Sequence, residues 1–74
     1  MIEPAQAGTD DYHLTERERE ILRLLADGLV KKEIATALGI SVHTVSTHMQ
    51  RVYYKLHVST NTGAVAKALR ERLI

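Results

Sequence analysis

The 74-residue chain contains no cysteine, so neither a disulfide nor a thiolate metal site can stabilise it. Its apolar runs are a few residues long, against the roughly 20 that a membrane-spanning helix needs. No signal-peptide pattern opens it. These absences fit a reducing, cytoplasmic setting. Strand-like alternation, internal repeats and low-complexity tracts are also missing. There is no nucleophile–base arrangement, no glycine-rich phosphate loop and no paired buried carboxylates, and a chain this short has little room for a closed pocket. An enzyme is therefore not expected. His13, His43, His48 and His57 offer no i, i+4 pair and no carboxylate at ligand spacing, so neither a metal nor a cofactor is expected. His48 borders an apolar stripe and reads as a partly buried structural histidine.

The net charge of +1 does not by itself announce a nucleic-acid partner, but its distribution is informative. Over residues 1–27 the acids outnumber the bases seven to three; from residue 28 onward the bases outnumber the acids seven to two. Phosphate neutralisation needs local positive charge, and the second part of the chain carries it.

Residues 1–12 hold Pro4, Gly8, Thr9, Asp10 and Asp11 without an apolar period and read as a flexible tail or linker remnant, leaving 13–74 as the folded domain. Thr15 and Glu18 have the T-x-x-E spacing of a capping box at the start of a first helix. Ile21, Leu22, Leu24, Leu25 and Leu29 supply its stripe, and Asp27-Gly28 ends it. A second helix is expected over 31–38, a third over 42–56 and a fourth over about 61–73, the last capped by Ser59 or Thr60. The arginines and acids of EREREILR read as i, i+3 and i, i+4 surface pairs. Ile21, Leu22, Leu25, Ile34, Leu38, Val45, Met49, Val52, Val65 and Leu69 are the expected common core of an all-α, four-helix domain, because helices this short must bury one another's stripes.

Between the second and third helices Gly39 supplies a left-handed stop and Ser41 a cap, which is the sequence form of a helix-turn-helix. The second helix of that motif lies in the DNA major groove. Placing Val45, Met49, Val52 and Leu56 inward leaves His43, Thr44, Ser46, Thr47, Gln50, Arg51 and Tyr54 largely outward. Ser46, Thr47 and Gln50 are the expected base contacts, since glutamine pairs with adenine and the threonine methyl meets that of thymine. Thr44, Lys31, Lys32, Arg51 and Lys55 are the expected phosphate contacts.

The anchors LTERE (14–18), ADGLVKKEIA (26–35), LGIS (38–41), Thr44-Val45, His48 and Lys55-Leu56 together resemble the LuxR-type DNA-binding domain. That domain is the C-terminal output module of NarL/FixJ response regulators and quorum-sensing regulators. The resemblance implies a four-helix bundle whose helices two and three form the helix-turn-helix, and a homodimer on double-stranded DNA through the fourth helix. It also allows contact with RNA polymerase. It carries the phosphate role onto Thr44, places Ser46, Thr47 and Gln50 toward the groove, and sets Arg51 and Lys55 beside the backbone.

Three positions depart from the family pattern. Ser46 stands where lysine is common, and Asn61 and Gly63 stand where an arginine and a glutamate are usual. The missing arginine removes a partner for Glu18, and the missing glutamate removes half of a capping box. A frayed start to the fourth helix and a weaker, less salt-dependent affinity for non-specific DNA are expected. A promoter-binding region of a sigma factor shares the LTERERE opening, and a protein-interaction module that has lost its DNA role is the other alternative. The tether-like opening favours an excised fragment over a stand-alone regulator.

Overall fold

The structure, a computed structural model, describes residues 12–74. Four helices follow one another among them: α1 (Glu16–Ala26), α2 (Lys31–Leu38), α3 (Val42–Leu56) and α4 (Asn61–Arg70). The tail expected over residues 1–11 lies outside the described residues. Tyr12, expected to close that tail, is docked instead: its ring packs against the core beside Leu14 and its hydroxyl donates to Glu71 Oε1 at 2.7 Å.

Each helix begins where a side chain can take up the unpaired N–H groups of a first turn. The Thr15 hydroxyl accepts from the Glu18 N–H at 3.1 Å, and the Glu18 carboxylate accepts from the Thr15 N–H at 2.8 Å. Glu33 accepts from the Val30 N–H at 2.9 Å at the start of α2. Ser41 accepts from Thr44, and Thr60 from Gly63. The hydroxyl half of the last cap thus survives the loss of the glutamate, and α4 is formed from Asn61 onward.

All four helices also end alike, with an N–H bonded to the carbonyl five residues back. The pairs are Leu29–Leu24, Ile40–Ala35, Val58–Tyr53 and Leu73–Ala68, at 3.1, 3.0, 3.0 and 2.8 Å. The residue before each donor turns left-handed, as this motif requires. Two are glycines, Gly28 and Gly39; the others are His57 (φ 59°) and Arg72 (φ 58°). The Arg72 turn corrects the expected end of the fourth helix: α4 stops at Arg70, and Leu73 folds back into the core.

The core has two lobes. Leu14, Leu22, Val52, Leu56, Ala64, Ala68 and Leu73 form one; Ile21, Leu25, Ile34, Ala35, Val45 and Met49 form the other, and Tyr53 touches both. The expected core needs correction at Leu38, Val65 and Leu69. Leu38 and Val65 are half-buried, and Leu69 is 57% exposed. The inward face of α4 is Ala64 and Ala68, both fully buried, because side chains of this size let α4 lie close against α1 and α3.

Candidate nucleic-acid interface

The two helices of the motif are joined by a three-residue turn, 39–41, in which Gly39 has φ 69°. Val45, Met49, Val52 and Leu56 anchor α3 in both lobes of the core. Its opposite side is turned away from every other helix. On a 3.6-residue period, His43, Thr47, Gln50 and Tyr54 (steps of +4, +3 and +4) form the crest of that side. His43, Gln50 and Tyr54 are exposed; Thr47 is half-buried, and its hydroxyl donates back to the His43 carbonyl at 3.2 Å. Ser46 is half-buried on one flank of the crest. The helix therefore offers Thr47 and Gln50 together with His43 at its centre, and Ser46 at its edge.

The N-terminal end of α3 is built to receive a negative group. Its first turn contains no acid, and Val42 and His43 carry N–H groups that precede the first intrahelical bond. Thr44 is half-buried, its hydroxyl 2.9 Å from Ser41 Oγ. Both hydroxyls of that pair keep lone pairs, and one proton is left to donate outward. Lys31 and Lys32 occupy the first turn of α2, where the helix dipole disfavours cations by about 0.3–1 kcal/mol each at most. Both are exposed, as is Arg51, and none of the three forms an ion pair among the described residues. Cations set against the dipole and left unpaired are suited to an external anion.

Lys55 is different. Its ammonium lies 2.8 Å from Glu18 Oε1 and donates to the His13 carbonyl at 3.0 Å. Only 2% of Glu18 is exposed. Lys55, expected beside the DNA backbone, is thus paired within the domain and ties the end of α3 to the start of α1. The surface-pair reading of EREREILR is corrected in the same place, since Glu18 is a buried capping carboxylate, whereas Arg17 and Glu20 do form a surface pair at 3.4 Å. Burial alone would raise the Glu18 pKa. The hydrogen bond from Lys55, the Thr15 bonds and the Lys55 charge outweigh that and hold it below the ordinary carboxylate value. Asn61 in place of an arginine costs Glu18 no partner, because Lys55 serves.

His48 borders the core as expected, half-buried, and its Nδ1 is enclosed without a hydrogen-bond partner. Among the described residues no cluster of three or more histidine or acidic side chains could hold a metal ion, and no helix is long and apolar enough to cross a membrane. Two further residues stand out, Tyr54, already expected to face outward, and Lys67, which sequence reasoning passed over. Tyr54, 83% exposed, borders a shallow groove with Thr47, Gln50, Arg51 and Lys55. Lys67 donates to the Leu56 carbonyl at 2.7 Å, closing the end of α3, while standing 5.0 Å from the centre of the Tyr12 ring. The helical phase places Tyr54; nothing local to Lys67 betrays its long-range contact.

A family profile described as bacterial regulatory proteins, luxR family, matches residues 12–68. The probable transcriptional regulatory protein NarL of Mycobacterium tuberculosis is 48% identical over 61 residues, which is 82% of this chain and 28% of that protein. The response regulator protein VraR of Staphylococcus aureus is also 48% identical, over 82% of this chain and 29% of its own length. Among solved structures, the response regulator ChrA of a heme-sensing two-component system superposes with a TM-score of 0.81 at 44% identity, over 82% of this chain and 30% of that one. The chain thus spans less than a third of the relatives it matches.

Proposed function

The chain belongs to the luxR family of bacterial regulatory proteins, and from that premise we propose that it is the sequence-specific DNA-reading output domain of a two-component response regulator, acting in the cytoplasm. The observation that carries the reading is the uncovered crest of α3, with Thr47 and Gln50 at its centre and the unpaired cations Lys31, Lys32 and Arg51 around it. In this reading Thr47, Gln50 and, from the flank, Ser46 meet base edges, while Thr44, Lys31, Lys32 and Arg51 hold phosphates. Catalysis has no part in it. Family membership and the presence of α4 after the recognition helix set aside the sigma-factor reading. A homodimer on DNA would use the outer face of α4, where Val65 and Leu69 line a shallow apolar groove with Leu25.

Selection of bound duplexes from a random pool tests this, followed by titration of the selected site with wild type and Gln50→Ala. We expect one enriched half-site, bound about 5- to 150-fold more weakly by Gln50→Ala, with little change on random duplex. Absence of binding to any duplex at low ionic strength would leave the protein-interaction reading in its place.

A further inference from the structure

Among the described residues Tyr54 is the most exposed of the large hydrophobic side chains that stand out on the surface, at 83%, and it lies on the same crest as Thr47 and Gln50. Its neighbour Tyr53 is packed between the two core lobes, so the pair divides into one structural ring and one that serves no packing. The groove beside Tyr54 is lined by Thr47, Gln50, Arg51 and Lys55. Lys55 is neutralised by Glu18, which leaves Arg51 as the free charge of that groove. An exposed phenol beside an unpaired guanidinium makes a two-donor site for a single anion.

Position along the helix says which anion. Thr44, at the N-terminal end of α3, and Tyr54 are ten residues apart, about 15 Å at 1.5 Å per residue. The major groove is about 12 Å wide between its sugar–phosphate walls. A helix that crosses the groove with its central residues on the bases brings its two ends to different walls. Thr44, with Lys31 and Lys32, serves one of them.

We propose that Tyr54 and Arg51 grip a phosphate on the opposite wall, the Tyr54 hydroxyl donating to a phosphate oxygen and the ring resting on the adjoining sugar. The proposal rests on the DNA-reading function and deepens it: Tyr54 sets how α3 is seated rather than which bases it selects. A neutral donor displaces no counterion, so its contribution is blind to salt, whereas that of Arg51 is not.

The test uses fluorescence anisotropy on the selected duplex and on a random duplex, at several salt concentrations, with wild type, Tyr54→Phe, Tyr54→Ala and Arg51→Gln. Tyr54→Ala should weaken both duplexes by the same factor, about tenfold, with an unchanged salt slope. Tyr54→Phe should account for most of that loss, and Arg51→Gln should lower the slope by about 0.9. Both tyrosine variants replace an exposed side chain, and circular dichroism verifies that they remain folded. Wild-type affinity in Tyr54→Phe, or a loss confined to the selected duplex, overturns the proposal while leaving the DNA-reading function intact. Failure of wild type itself to bind either duplex overturns both.

Discussion

Replacing Lys55 with methionine isolates an ion pair that reaches into the interior of the domain. The substitution keeps an unbranched side chain of similar length and removes only the ammonium, 2.8 Å from the Glu18 carboxylate. Removing one partner of a buried pair costs about 3–5 kcal/mol. Here the lysine side chain retains 27% exposure and Glu18 keeps its Thr15 N–H bond, so we expect a smaller loss, about 1.5–3 kcal/mol at pH 7. For a domain of this length each kcal/mol moves the melting temperature by roughly 4–8 °C, so the shift is easily measured by urea and thermal unfolding followed by circular dichroism. Acid supplies the sharper check. The folded pKa of Glu18 lies below the ordinary carboxylate value, so its stabilising contribution in wild type is complete above that ordinary value and declines as the pH falls through the folded pKa. In Lys55→Met the carboxyl keeps its burial but loses the ammonium, which shifts its folded pKa upward, so the gap between the two proteins should narrow steadily below about pH 5. A gap as wide at pH 3 as at pH 7, or unfolding curves that coincide at pH 7, would refute the assignment of Lys55 to the fold. The same variant should retain the wild-type salt slope in DNA binding if the Lys55 charge is held by Glu18; a slope lowered by about 0.9 would place Lys55 at the interface.

Two further outcomes follow from the geometry. Ser46→Lys adds a cation at the edge of the reading helix and should steepen the salt dependence of duplex binding by about 0.9 in log–log slope; an unchanged slope means that Ser46 does not face the DNA. His57→Gly relieves a left-handed turn that a side chain adopts at a cost, partly offset by the greater freedom of glycine in the unfolded chain. It should raise stability by about 0.5–1 kcal/mol, read as a gain of a few degrees in melting temperature, and a loss would show that the imidazole makes a contact that matters.

The helices of the DNA-reading motif were legible in the sequence to the residue, 31–38 and 42–56, because their boundaries are written locally. Gly39 ends one helix and Ser41 begins the next, and no distant contact alters either. The outer face of α3 was legible for the same reason, since its four buried residues fix the phase. The face of α4 was not. The stripes 64/68 and 65/69 have the same i, i+4 spacing, and hydrophobicity favours valine and leucine over alanine. The choice falls to how closely α4 can approach α1 and α3, which is a property of the packed fold. Glu18 was hidden by its setting among alternating charges. Its burial depends on Lys55, 37 residues further along, and neither residue signals the other. That pair gives Lys55 a role inside the fold that its place on the third helix did not announce.

Lys67 has a mechanical corollary. One ammonium group closes the carboxyl end of the DNA-reading helix and sits against the aromatic ring of Tyr12, whose hydroxyl is moored to the last turn of the chain. A displacement of Tyr12 would be felt in α4 and at the far end of α3, as well as in the core against which its ring packs. Residue 12 is thus tied to the end of the DNA-reading helix through a single side chain, that of Lys67.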